Sequence, residues 1–182
     1  MKKNFVFLAD GFEEVEALTC VDVLRRAGMP VTTVSLNIDE DVTGAHGVTV
    51  VADSVYGEDE YGDAEWLILP GGIPGAPNLV AHEDLCRQLV DHHKRGGRVA
   101  AICASPAVVL APLGILDGRR AVCYPGMEQG IEGVNWEQAP VAVDGNVVTG
   151  NGPAAAAPFA LALVAESRGK AAADEVAAGM LY

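Results

Sequence analysis

Short β-rich apolar runs recur along this chain, and helical stretches separate several of them. The runs are Phe5–Leu8, Val31–Leu36, Val48–Val51, Trp66–Leu69, Val99–Ile102, Ala121–Cys123, Val141–Val143 and Val147–Thr149. The helical stretches are Phe12–Ala27, Glu83–Lys94, Pro106–Leu113, Ala154–Arg168 and Ala172–Ala178. Such alternation restricts the fold more than any other feature, because it calls for a mostly parallel sheet covered by helices on both faces. One connection departs from that rule. Val143-Asp144-Gly145-Asn146-Val147 predicts a hairpin, since Asp-Gly supplies the positive φ angles of a tight turn. At 182 residues, half of them apolar, the chain suits one domain over residues 1–182 with a sizeable core.

The formal net charge of −13 repels phosphate backbones and anionic lipid, so neither nucleic acid nor a membrane surface is an expected partner. No run approaches the roughly 20 apolar residues of a membrane span. Lys2-Lys3 precedes an apolar stretch, but Phe5–Ala9 stops at Asp10, too short for a signal-peptide core. A cytoplasmic location is expected, with Cys20, Cys86, Cys103 and Cys123 as reduced thiols. None of their spacings forms a CxxC pair, and neither a metal nor an organic cofactor is expected.

Ligands of open α/β sheets bind beyond the carboxyl ends of the strands. Three segments are expected at that edge: Ala9-Asp10-Gly11, Pro70-Gly71-Gly72 and Cys103. Cys103 ends the run Val99–Ile102 and opens toward Ser105-Pro106-Ala107-Val108-Val109-Leu110. A thiol on a strand-to-helix turn is placed like the nucleophile of a hydrolase elbow, with a helix end favouring its thiolate, although G-x-S-x-G is absent. A buried, inert cysteine satisfies the same pattern. Gly71 and Gly72 either mark a turn or let backbone N–H groups approach an oxyanion, with the Gly72 and Ala104 amides as the natural pair.

On the first helix Glu16, Cys20, Val23, Leu24 and Ala27 form one stripe, so Glu16 heads an apolar face while Glu13 and Glu14 point to solvent. A carboxyl placed there is desolvated and can keep its proton. A solvated first-turn glutamate is the alternative. His92-His93, flanked by Asp91, Lys94 and Arg95, reads as a solvated face; His82 precedes or caps that helix; His46 lies in a loop that can overhang the pocket. Cys20 belongs to the core stripe, Cys86 reads as exposed, and Cys123 beside Tyr124-Pro125-Gly126 falls near the same sheet edge.

Taken together these residues resemble the ThiJ/PfpI superfamily, and within it the Parkinson-protein (DJ-one) branch. "ADGFEEVEALTCVDVLRRAGMPVTTVSL" resembles the branch's first helix with its buried glutamate, and "LILPGGIPGAPNL" its glycine turn. "AAICASPAVVLAPLGILDGRRAVCYPG" resembles its cysteine elbow, and "VVTGNGPAAAAPFALALVAESRGKAAADEV" its closing strand and helices. The resemblance implies a flavodoxin-like three-layer sandwich, usually a homodimer that uses the first helix in its interface. It implies a reactive, oxidation-prone Cys103, a protonated Glu16, and an oxyanion pocket at Gly72 and Ala104. Family activities include glutathione-independent conversion of methylglyoxal to lactate, deglycation of early adducts, and redox-dependent chaperone and stress-protection roles. The protease-like branch carries histidine after its cysteine, where this chain has Ala104, so a Cys-His triad of that type is not expected. Some relatives place histidine where Tyr124 stands, and basic residues near His46 and Asn151.

Two functions follow. The first is a cofactor-independent glyoxalase or deglycase acting on a small aldehyde or a glycated substrate. In it Cys103 is the nucleophile, Glu16 the proton carrier, and the Gly72 and Ala104 amides bind the oxyanion. The second is a redox-sensing chaperone switched by oxidation of Cys103.

Overall fold

A computed structural model describes residues 2–182. In chain order the strands are β1 (Asn4–Leu8), β2 (Val31–Ser35), β3 (Asp41–Thr43), β4 (Thr49–Val51), β5 (Ser54–Val55), β6 (Trp66–Leu69), β7 (Arg98–Ile102), β8 (Arg120–Ala121), β9 (Asn135–Trp136), β10 (Val141–Asp144) and β11 (Val147–Gly150). The α-helices are α1 (Glu14–Arg26), α2 (Gly75–Ala81), α3 (Glu83–Lys94), α4 (Ala156–Arg168) and α5 (Lys170–Gly179).

Seven strands form the central sheet in the order β10-β11-β7-β6-β1-β2-β5. All neighbours run parallel except β10 and β11, the hairpin expected at Asp144-Gly145. Every residue of β1, β6 and β11 is buried, as strands covered on both faces require. Helices α1, α4 and α5 pack together, as do α2, α3 and a turn after β7, giving the flavodoxin-like α/β sandwich. Strand β1 lies between β2 and β6. The crossovers therefore diverge on either side of it, and the crevice this opens lies at the carboxyl end of the sheet.

Several expected elements differ. The run Val48–Val51 joins β3 in a separate two-stranded sheet, and Ala121–Cys123 contributes only its first residue to a small sheet with β9. Helix α2 was not expected. The helix expected over Pro106–Leu113 is instead a five-residue π-helical turn, Pro106–Leu110. His92 is not solvated but 3% exposed, beneath Gly97, where a Cβ would collide with its ring. His93 is half-buried near Asn146, with 3.2 Å between its Nδ1 and Asn146 Nδ2. Cys86 is half-buried, its thiol 3.3 Å from the Val80 carbonyl. His82 does cap α3, accepting from the Leu85 N–H at 3.2 Å.

Candidate active site

Three strand ends build the site. Cys103 follows β7 with φ of +65°, the left-handed region that non-glycine residues rarely occupy. Its backbone is held on both sides. The Cys103 N–H donates to the Gly150 carbonyl at 2.9 Å, and the Tyr124 N–H donates to the Cys103 carbonyl at 2.8 Å. Next to it, buried Ser105 donates from Oγ to the Pro70 carbonyl, tying the elbow to the turn after β6. Strain of this kind persists only where surrounding structure enforces it, and it is a hallmark of functional turns.

That turn presents Gly71 and Gly72. The Gly71 N–H donates to Glu16 Oε2 at 2.8 Å, and the Gly71 carbonyl accepts from the Glu13 N–H at 3.0 Å. A Cβ on Gly71 would stand 2.5 Å from the Cys103 Cβ, 2.8 Å from Glu16 Oε2 and 3.0 Å from Cys103 Sγ. Only a glycine fits between the thiol and the carboxyl. Gly72, at φ +97°, is equally confined, since a Cβ there would strike the Gly11 carbonyl oxygen.

Glu16 is 1% exposed, at the head of the apolar stripe of α1. Burial pushes its carboxyl up to about 7, against the pull of the Gly71 N–H and of its hydrogen bond with Cys103; the Glu13 charge adds to the rise. Its Oε1 is buried without a hydrogen-bond partner among the described residues. Burial also pushes the Cys103 thiol up, to about 12, helped by the charge and hydrogen bond of Glu16. The Gly72 and Ala104 N–H groups pull the other way. The repulsive part exists only while Glu16 is ionised, so thiol and carboxyl titrate as a pair that resists losing both protons. Help for the thiolate comes from two backbone amides rather than the expected helix end, because the π-helical turn is too short to supply a macrodipole.

Cys103, Glu16, Gly71, Gly72 and Ala104 are thus brought together. The other candidates lie outside this group. His46, with its side chain 69% exposed, sits over the start of α1, its Nδ1 2.8 Å from Glu14 Oε2 and 3.7 Å from Glu13 Oε2. Glu14 does not point to solvent as expected. It is buried, accepting from the His46 N–H at 2.8 Å, and Gly44 leaves the space it fills. Tyr124 holds the elbow through its backbone while its residue surface is 47% exposed. Asn151, half-buried, donates its N–H to the Pro140 carbonyl at 3.0 Å and lines a separate cavity. Sequence reasoning missed the Ser105 and Tyr124 ties, whose only signal was adjacency to Cys103 and to the Pro125-Gly126 turn.

A mostly parallel sheet whose switch-point crevice holds a strained cysteine beside a buried carboxyl defines a class of flavodoxin-like α/β proteins. The chain belongs to the DJ-1/PfpI family, which it matches over residues 2–166. It is 37% identical to Protein dj-1beta of Drosophila melanogaster over 183 residues, covering 99% of this chain and 97% of that protein. It is 36% identical over 163 residues to Protein DJ-1 homolog B of Arabidopsis thaliana, covering 90% of this chain but only 37% of that longer protein. A deglycase of Pyrococcus abyssi is 34% identical over 151 residues, which is 81% of this chain and 89% of the enzyme. The structure of oxidized Toxoplasma gondii DJ-1 superposes with a TM-score of 0.96 at 37% identity, covering 100% of this chain and 99% of that one.

Proposed function

We propose that this protein is a cofactor-independent glyoxalase or deglycase acting on methylglyoxal-type aldehydes or their adducts. The observation that carries the reading is the Cys103–Glu16 pair, with Gly71 between them and the Gly72 and Ala104 amides at the sulfur. Glu16 Oε1 has no donor; carrying the proton, it becomes a donor itself and can face the thiolate. The Cys103 thiol gives its proton to Glu16 as the sulfur attacks the aldehyde carbon, forming a C–S bond while the carbonyl electrons move to oxygen. The Gly72 and Ala104 N–H groups hold the oxyanion, and Glu16 gives it the proton. Glu16, now a carboxylate, takes the proton from the former aldehyde carbon and returns it to the neighbouring carbon, while the hydroxyl proton passes from the first oxygen to the second. The result is a thioester of a 2-hydroxy acid. Water hydrolyses it, releasing the acid and restoring the thiol. The deglycase name of the Pyrococcus relative supports this class of substrate.

A methylglyoxal-to-lactate assay tests the reading. Wild type is expected to turn over and Cys103→Ser is not; lactate formed equally by both would overturn it. A second reading, a redox-sensing chaperone switched at Cys103, draws on the oxidized Toxoplasma relative and on amides that would equally hold a sulfinate. On either reading residues 1–182 act as one domain in the cytoplasm, with no nucleic-acid or membrane partner. Among the described residues no helix is long and apolar enough to cross a membrane. The protein functions as a homodimer that covers α1, where Val15 and Leu18 are 52% and 42% exposed. Light scattering at micromolar concentration is expected to give the dimer mass, and a monomer mass would reject this assembly.

A further inference from the structure

Beyond the pairing of Leu69 with Ala101 the β6–β7 ladder ends, and the two chains part to wall the Cys103 crevice. One wall is the turn Pro70-Gly71-Gly72, the other the elbow Cys103-Ala104-Ser105. The main-chain groups of the turn are largely bonded elsewhere. Pro70 has no N–H, and the Gly71 N–H goes to Glu16. The Gly71 and Gly72 carbonyls accept from the Glu13 and Ala76 N–H groups at 3.0 and 2.9 Å. The buried Pro70 carbonyl accepts from Ser105 Oγ, across the crevice. Ser105 is itself fully buried and holds the N-cap position of the π-helical turn, where a serine ordinarily caps its own helix. It makes no such cap; its hydroxyl is turned to the opposite wall.

That bond spans the two segments that carry the oxyanion donors. Gly72 lies two residues beyond Pro70, and Ala104 directly precedes Ser105. Both of their N–H groups favour the Cys103 thiolate. Resting on the reading above that these amides hold the oxyanion, we propose that Ser105 is a positioning residue, its hydroxyl setting the spacing of the two N–H groups about the sulfur. It touches no reacting atom itself. Donors aimed at a developing charge must be held to within about 0.5 Å, so a tie between the segments that carry them bears directly on rate. Without the hydroxyl the Pro70 carbonyl is buried and unpaired, and the turn shifts to find another donor.

Iodoacetamide labelling of Cys103 as a function of pH tests the role without requiring turnover. Ser105→Ala is expected to label about tenfold more slowly at neutral pH, its profile displaced upward by about one pH unit, because the thiolate loses its aligned amides. Ser105→Thr keeps the hydroxyl and is expected to recover most of that rate. Ser167→Ala removes a bond from Trp66 Nε1, 2.7 Å long, at the opposite end of β6, and is expected to label like wild type. In the lactate assay Ser105→Ala is expected to lower kcat by about tenfold or more and to change KM by less than about threefold. A Ser105→Ala profile that superposes on wild type would overturn the proposal. So would equal slowing in Ser167→Ala, or no recovery in a Ser105→Thr protein as stable to urea as wild type. Labelling slowed as expected, in a protein that makes no lactate, would reject the glyoxalase reading and leave the role of Ser105 standing.

Discussion

Two cysteines in this molecule sit beside glutamates, and they are not alike. Cys103 faces Glu16, a carboxyl sealed in the core whose proton burial favours, and two backbone amides point at its sulfur. Cys123 has its Sγ 3.8 Å from Glu128 Oε2, a carboxylate already engaged by the Gly126 N–H and open to a cavity. Burial, then the Glu128 charge, pushes the Cys123 thiol up to about 12. Glu128 and Glu16 are the same residue type, each beside a cysteine thiol. What separates them is whether the carboxyl is sealed in the core or open to a cavity, and whether N–H donors are left over for sulfur. A neighbouring acid represses a thiol when ionised and supports it when protonated.

The sharpest way to break this comparison is to remove one sulfur. Cys103→Ser is expected to cut methylglyoxal turnover by about 10⁴-fold or more, measured as lactate. A loss below about tenfold would mean that the chemistry lies elsewhere. Replacing the acid comes next. Glu16→Gln can still donate to sulfur but cannot transfer a proton, so turnover should fall by roughly 10²–10⁴ while iodoacetamide labelling of Cys103 persists. Glu16→Asp withdraws the proton by one methylene and is expected to slow labelling as well. Unchanged turnover in both variants would leave Cys103 acting alone.

Stability sharpens the contrast further. In the folded protein burial holds Glu16 at about 7, above the ordinary carboxyl value of 4.5. The native state therefore keeps a proton that the unfolded chain gives up, and stability falls as pH rises from about 4.5 to about 7. The effect approaches about 3 kcal/mol at the upper end. Glu16→Gln is expected to remove that slope and to be more stable than wild type at pH 7 by urea denaturation, the usual bargain of an active site. A parallel slope in the two proteins would show Glu16 ionised in the fold. Gly71→Ala should cost about 1–3 kcal/mol by the same measurement and slow Cys103 labelling, because its methyl would part the pair. The smallest effect is expected at the other pair. Glu128→Gln should raise Cys123 alkylation by only a few-fold, through lost repulsion, still below the wild-type rate of Cys103. Cys123 labelling faster than Cys103 would end the comparison.

The sequence made the alternation of strands and helices visible, and with it the sheet edge where Cys103 and Gly71 meet. Glu16 was legible because an apolar stripe on α1 leaves a carboxyl at its head no direction but inward. His92 was equally legible in principle, since it continues Leu85 and Leu89 at helical spacing; the charges around it drew attention to the wrong face. Other features had no local signal. Glu14 is buried by a loop arriving from residues 44–48, and α2 contains Gly75 and Pro77, which argue against a helix. Strands β5, β8 and β9 are two residues long, too short for any period to register. The cavity at Asn151 assembles from segments that only the sheet brings together.

The left-handed backbone at Cys103 bears on time as well as geometry. Its amide hydrogen is locked to Gly150 at the end of β11, and its carbonyl is locked by Tyr124. The first of these bonds extends the β7–β11 ladder by one step. The Cys103 amide is therefore expected among the slowest to exchange with deuterated solvent, at a rate set by unfolding of the whole domain. On the proposed reading the attacking sulfur then sits in the part of the molecule that fluctuates least, and substrate entry is left to the loops around it. Variation that weakens the sheet anywhere shortens the lifetime of the turn that aims the thiol.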